Sequence, residues 1–310
     1  MPQTASSLEI IEHAPIPTWF RVGGGADRFA TPRSPEELRQ ALDLDPSLKV
    51  LGDGANLLVD DAGVGGLVVS LRAPAFQETR FDAGAGRVHA GAGGDFQKLI
   101  HECVRRGLGG LEGLAGIPAS VGGACLMNAG GAFGQFADAV ARVHALDRAA
   151  RTVIRERAEI PFGYRHSGLT DLVITGVEFV LTPGDPEALR ARLKDCMAYK
   201  KKSQPMAADS AGCCFKNPTL RTPLTLPGRE PAPAGSRVSA GLLIDRAGCK
   251  GLRRGGAEVS PVHGNFLIAH AGAKARDVID LMDEVARRVR EAWGVVLERE
   301  VVVWERGQRP

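Results

Sequence analysis

"GLEGLAGIPASVGGACLMNAGGAFG", residues 110–134, is the stretch on which the rest of the chain turns. It is glycine-rich, weakly periodic and nearly uncharged. It is too apolar for a surface linker and too rich in glycine for a good helix. Buried irregular backbone must find partners for its N–H groups, so a bound ligand that accepts many backbone hydrogen bonds is the attractive explanation. A shorter glycine loop, "GDGANLL" (52–58), lies upstream. It has the G-x-G start of a phosphate-binding turn, without the third glycine of the dinucleotide fingerprint or the GK[ST] ending of a P-loop. Alone it reads as a tight turn between strands. Paired with the longer stretch it reads differently, because two glycine loops poor in side-chain charge can clasp a pyrophosphate through backbone N–H groups.

Strand and helix signals alternate around these loops. "SPEELRQAL" (34–42) offers Ser34 as N-cap, Pro35 at the first helical position and Glu37 to close a capping box. "KVLG" reads as a short strand before the first glycine loop, and "GLVVSL" (66–71) as a strand after it. A helix is expected from about Asp95 to Arg106, with Leu99, Ile100, Cys103 and Val104 on one face and Gly107 as stop. "RVHALD" and the alternating "VITGVEFVLT" (173–182) read as strands. Asp185 and Pro186 start a helix with an apolar stripe of Leu189, Leu193, Cys196 and Met197. "KKKSQP" (200–205) closes it at a domain boundary, and "TPLTLPGREPAPAG" (222–235) reads as a mobile surface loop. "SAGLLIDRAGCKG" suggests a further capped helix, a last helix covers about 276–293, and "VVLEREVVVW" (295–304) is a closing strand. The alternation predicts an α+β or α/β class, and no internal repeat is present.

A chain of 310 residues is long enough to bury a large core in two or three domains. The net charge of +3 is too small to imply nucleic acid and suits an anionic small molecule as well. No run approaches the roughly 20 apolar residues of a membrane span. "MPQTASSLEIIEHAPIPTWF" lacks the basic start and apolar run of a secretory signal. A cytoplasmic protein without membrane insertion is expected. The 6 cysteines form no CxxC pair, which argues for reduced thiols and against both a disulfide framework and a zinc site.

Seven blocks now stand in one order: "LGDGANLLV", "GLEGLAGIPASVGGACLMNAG", "FGYRHS", "SAGCCFKNP", "AGLLIDRAGCKG", "GGAEVSPVHGNFLI" and "VVLEREV". Together they closely resemble the UDP-N-acetylenolpyruvoylglucosamine reductase (MurB) family of peptidoglycan synthesis, from about Thr18 to Trp304. The resemblance implies an α+β protein, with a two-lobed FAD-binding fold of the vanillyl-alcohol-oxidase type and an α+β substrate-binding domain. The corresponding boundaries are 1–72 for the first lobe (with a C-terminal strand at 301–310), 73–205 for the second, and 206–300 for the substrate domain. It implies FAD and NADPH as cofactors and UDP-N-acetylglucosamine-enolpyruvate as substrate. NADPH reduces the flavin, which passes hydride to the methylene carbon of the enolpyruvyl ether, and a proton goes to the neighbouring carbon. The segment 168–210 reads as strand plus helix, so the chain looks like the shorter subtype without an extra tyrosine-bearing loop.

Residue by residue, the match puts Gly52, Gly54, Ala55, Asn56 and Leu57 in the first flavin loop. Gly116, Ile117, Pro118, Gly122 and Gly123 fall in the second, with Asn128 and Gly130 nearby. Ala55 stands where the family usually has serine, a loss of one hydrogen bond worth ~1 kcal/mol. "NAGGAFG" departs from the usual Ala-Tyr after "NAG". Arg165 aligns with the family's catalytic arginine, and its planar guanidinium suits a carboxylate. Glu300 aligns with the catalytic glutamate; burial should raise its pKa, and Glu298 on the same side of a strand could also keep one carboxyl protonated. Tyr164, Lys216, Asn217 and His263 are candidate substrate contacts, His263 being equally well read as a core histidine. The "KKK" run reads as a solvated helix end or as an attractor for a diphosphate.

Cys213 occupies the position of the family's proton-donating serine, and Cys214 is its packed neighbour. A thiol of pKa ~8.5 is a far stronger acid than an alcohol, so the exchange is chemically sound. It carries two liabilities: nearby cations could ionise it at rest, and it is open to oxidation. A vicinal disulfide with Cys214 is the minor alternative. Competing functions are a flavin oxidase of the same fold, a non-catalytic flavin or sugar-nucleotide binder, and a thiol switch. Retention of Arg165 and Glu300 favours the enzyme, and the missing CxxC disfavours the switch.

Overall fold

The helix that opens the first lobe runs Pro35–Leu44, and the chemistry of its first turn fixes where it begins. Ser34 accepts the Glu37 N–H, and Pro35 occupies the first turn, where no N–H is needed. The Glu37 carboxylate takes the backbone N–H of Arg33, one residue upstream of the reciprocal partner a capping box would use. The computed structural model describes residues 7–82, 84–205 and 208–307. The expected start of the substrate domain at 206 and the last three residues of the 301–310 segment lie outside them, as do residues 1–6 of the N-terminal stretch.

The Pro35–Leu44 helix covers a four-stranded sheet ordered Ile10–Ala14, Ala26–Ala30, Val64–Ser70, Lys49–Leu51, with its first pair antiparallel and the others parallel. Leu57–Val59 leaves the first glycine loop and pairs in parallel with Val302–Trp304, so residues 302–304 return to the first lobe. The closing strand is therefore three residues long; 295–301 is irregular, held by single backbone bonds such as Glu300 N–H to Cys214 O at 2.7 Å.

A five-stranded antiparallel sheet follows, ordered Thr152–Glu156, Val140–Leu146, Val173–Val180, Arg87–Gly91, Thr79–Asp82. The helices Phe96–Arg105 and Pro186–Ser203 pack with it, and Leu99, Ile100, Cys103, Val104 and Leu193 enter one core with Leu38 and Leu42 of the first lobe. The 110–134 stretch is not wholly irregular. Ser120 caps a six-residue helix, Val121–Leu126, which tolerates Gly122 and Gly123 because tertiary contacts hold it. Its backbone is also less needy than expected. The N–H groups of Gly116, Ile117, Val121, Gly122 and Gly123 go to Gln97, Leu114, Gly94, Ala92 and Ser120.

The third unit packs Ala240–Arg246 and Ala275–Trp293 on a small antiparallel sheet, Arg253–Arg254, Ala257–Val259, Leu267–Ala269. Val278, Leu281, Met282, Val285 and Val289 are fully buried at helical spacing, and Gly294, at φ 66°, ends the long helix in a left-handed turn. The 222–235 excursion is on the surface, but it is tied back by the Leu224–Ala232 bridge and by Leu226, which is buried in this core. Among the described residues no helix is long and apolar enough to cross a membrane. No group of three or more metal-ligating side chains occurs among them either.

Candidate active site

The two glycine loops meet. Gly52, Asp53, Arg72, Ser120, Gly122 and Gly123 line one cleft over an apolar floor of Leu51, Leu71, Leu126 and Ile174. A Cβ on Gly52 would lie 2.7 Å from Ser120 Oγ, and one on Gly122 would lie 3.0 Å from the Ala92 Cβ. The glycines thus leave the cleft open where any larger residue would close on Ser120 or Ala92, and with Arg72 beside them the residues present fit the diphosphate of FAD. Sequence reading missed Ser120, Asp53 and Arg72. Burial and Asp95 push the Asp53 carboxyl up while Arg72 pulls it down, so Arg72 is the cation that offsets a negative charge in this cleft.

Other loop residues play different parts. Gly54 (φ 67°) sits where a Cβ would strike Pro17 O at 2.3 Å, so it serves packing against the N-terminal segment. Ala55 is half-buried in the same loop, and Leu57 is buried at the start of its strand. Gln97 holds the second loop from both sides, accepting the Gly116 N–H at 2.6 Å and donating to Ile117 O at 2.7 Å; Ile117 and Pro118 stay half-buried. Gly130 lies in a small hairpin opposite Gln135. Asn128 is 2% exposed, and its amide is taken up by Gly163 O, Gln135 Oε1 and the Ala137 N–H. It braces the turn that carries Arg165.

That turn is tight. Gly163 and His166 exchange backbone hydrogen bonds, leaving Tyr164 and Arg165 at the tip, with Arg165 at φ 54°. A left-handed non-glycine residue costs about 1 kcal/mol or more, and here the cost points a guanidinium inward. Arg165 Nε donates to Glu300 Oε1 at 2.5 Å, with the two side chains only 18% and 12% exposed. The Asn56 amide donates to Glu300 O at 3.1 Å, which ties the glutamate to the first glycine loop. Burial pushes the Glu300 carboxyl up, and Arg165 opposes it. Glu298 diverges: it is 73% exposed and pairs with Lys216 at 2.5 Å. The two carboxyls thus take different partners, because 295–301 is not a regular strand and the alternation of a strand does not apply.

Cys213 is half-buried and Cys214 fully buried, and both are free thiols. Burial first, then the Glu300 and Cys214 charges, push the Cys213 thiol up to about 12, while Arg165 and a hydrogen bond from Asn265 pull the other way. The thiol is therefore protonated at neutral pH. Tyr164 Oη accepts the Asn217 N–H at 3.1 Å, and Arg237 stacks 4.1 Å over its ring. Asn217 Oδ1 accepts the Ala240 N–H at 2.9 Å. His263 accepts the Asn265 N–H through Nδ1 and lies against Gly241 and Phe266, inside the third unit, where burial pushes its pKa down.

Of the "KKK" run, Lys201 and Lys202 are exposed, but Lys200 is buried and donates to Ala115 O beside the second loop. Burial and the nearby Arg165 charge lower it to about 8. The signal was present: Lys200 falls four residues after Cys196 and seven after Leu193, on the buried stripe.

Residues 204–304 match the family of the UDP-N-acetylenolpyruvoylglucosamine reductase C-terminal domain, and residues 26–155 match the FAD binding domain family. A UDP-N-acetylenolpyruvoylglucosamine reductase from Moorella thermoacetica is 41% identical over 98% of this chain and 96% of its own length. One from Syntrophobacter fumaroxidans is 40% identical over 95% and 83%. The crystal structure of UDP-N-acetylenolpyruvylglucosamine reductase (MurB) from Thermus caldophilus superimposes with a TM-score of 0.77, at 39% identity, covering 96% of this chain and 98% of that one. The mixed α and β class and the FAD-binding fold expected from the sequence are borne out.

Proposed function

The chain belongs to the UDP-N-acetylenolpyruvoylglucosamine reductase (MurB) family, and we infer that it is an FAD-containing, NADPH-dependent oxidoreductase that reduces the enolpyruvyl ether of UDP-N-acetylglucosamine-enolpyruvate to UDP-N-acetylmuramate. The observation that carries this reading is the position of Glu300. One residue is bonded to the glycine loop through Asn56, to the Arg165 guanidinium, and to the backbone of the cysteine pair.

The loops around Gly52 and Gly122–Gly123, with Arg72 in the same cleft, would hold FAD, which would supply the hydride for the methylene carbon. The chain's own groups do the rest. Arg165 binds the substrate carboxylate, into which negative charge spreads as the double bond accepts hydride. Glu300, already raised by burial, rises further beside that second anion and shares a proton with its oxygens. Cys213 gives its proton to the carbon next to the carboxylate, which completes the addition of one hydride and one proton across the double bond. Tyr164, Lys216 and Asn217 border the same space and contact the nucleotide sugar. The three units expected at 1–72, 73–205 and 206–300 supply, in turn, the first loop, the second loop with Arg165, and the cysteine pair.

Purified protein is expected to be yellow and to oxidise NADPH at a rate that depends on UDP-N-acetylglucosamine-enolpyruvate. Flavin-bound protein whose NADPH oxidation is indifferent to that substrate, and rises instead with oxygen and an alcohol or sugar, would overturn the reductase in favour of an oxidase of the same fold.

A further inference from the structure

We propose that Asn265 is a positioning residue for Cys213, a role that rests on the reading of Cys213 as proton donor. The segment carrying the thiol has no regular ladder to hold it. It leaves Gly212 at φ 77° and touches its neighbours through single-residue bridges, Cys213 to Phe266 and Phe215 to Arg299. Asn265 supplies what the ladder lacks. Its Oδ1 accepts the Phe215 N–H at 2.9 Å, its Nδ2 donates to Phe215 O at 2.8 Å, and its backbone oxygen accepts the Cys214 N–H at 2.9 Å. The side-chain amide thus pairs with Phe215 as a neighbouring peptide group would, and with the Cys214 bond it fixes the backbone on the C-terminal side of Cys213.

The clamp is itself braced. Asn265 is 2% exposed, its N–H donates to His263 Nδ1 at 3.2 Å, and the fully buried Ser260 accepts the N–H groups of Val262 and His263. Aspartate keeps the acceptor and loses the donor, serine is too short to reach both groups, and only asparagine of this size offers both ends of an amide. A proton donor misplaced by about an ångström loses roughly 100-fold in rate, so the effect should appear in proton delivery and not in flavin reduction.

The test uses holoenzyme with Asn265→Asp and Asn265→Ser, alone and combined with Cys213→Ala, followed by rapid mixing in H2O and D2O. NADPH-driven flavin reduction is expected to stay within about 2-fold of wild type. Flavin reoxidation by UDP-N-acetylglucosamine-enolpyruvate should slow by roughly 10- to 100-fold with a larger solvent isotope effect, and the Asn265 changes should add nothing once Cys213 is alanine. Equal losses in both half-reactions, losses that add in the double variants, or reoxidation at the wild-type rate would overturn the proposal. A slow Cys213→Ala beside normal Asn265 variants sinks the positioning role alone. A Cys213→Ala that reoxidises normally sinks the donor reading itself.

Discussion

A thiol does the work of an alcohol at position 213 only if its proton stays on until the substrate needs it. Burial and the Glu300 charge raise Cys213 to about 12, against the pull of Arg165. Both liabilities of the exchange recede with that shift, since the thiolate, which has no proton to give and is the form that reacts with oxidants, becomes scarce. Iodoacetamide should therefore label Cys213 at pH 8 far more slowly than a free cysteine of pKa ~8.5, with the rate still climbing beyond pH 10. A labelling midpoint near pH 8 would contradict this. The sign for catalysis follows: a donor must be protonated, so thiol ionisation should cause no loss of activity between pH 6 and 9. At this scale much was legible. "SAGCCFKNP" and "FGYRHS" carried Cys213 and Arg165 through resemblance, whereas the role of Asn128 in bracing the Arg165 turn depends on contacts with Gly163 and Ala137 that local sequence does not encode.

Elements turn these side chains into sites. The first glycine of "GDGANLL" is required by the Val121–Leu126 helix cap opposite, since Ser120 Oγ both caps that helix and fills the space a Gly52 Cβ would take. Gly52→Ala is expected to weaken FAD binding by about 10-fold or more, roughly 1.4 kcal/mol, while the far-ultraviolet circular dichroism is unchanged; unaltered flavin fluorescence titration would contradict it. On the outer face of the five-stranded sheet, burial and the Arg80 and His144 charges hold His89 below its ordinary 6.5, against Glu178 and Glu78. A depressed histidine contributes stability that is present above pH 6.5 and is lost as pH falls below it. Thermal melts should show that loss for wild type, with a smaller loss for His89→Gln; parallel curves would contradict it. Helices with caps and long apolar stripes were readable from sequence. The short strands Ile10–Ala14, Thr79–Asp82 and Thr152–Glu156 were not, because half-exposed edge strands with charged residues carry little periodic signal.

Across the whole molecule, the third unit is joined to the first by bonds that span most of the sequence. Asp61, beyond the first glycine loop, accepts the N–H groups of Ala275 at 2.8 Å and Arg276 at 3.0 Å, so a carboxylate from early in the chain caps the helix Ala275–Trp293. Asp61→Ala should cost about 1 kcal/mol of stability and lower the melting temperature by several degrees. Asp61→Asn should lose less, and equal losses would contradict capping. Together with Asn56 and the Leu57–Val59 pairing, this cap fixes Glu300 between the first glycine loop and the cysteine pair. None of these long-range pairings shows in local periodicity, which is why the seven collinear blocks indicated the family before the residues indicated the geometry.

The account turns on Cys213 delivering a proton in a reductase, and one measurement tests that most directly. Pre-reduced wild type and Cys213→Ala are mixed rapidly with UDP-N-acetylglucosamine-enolpyruvate, and flavin reoxidation is followed. The expected result is a loss of roughly 100- to 10,000-fold in the variant, with flavin reduction by NADPH intact and activity retained by Cys213→Ser. Reoxidation of Cys213→Ala at the wild-type rate would contradict the account and place the proton donor elsewhere.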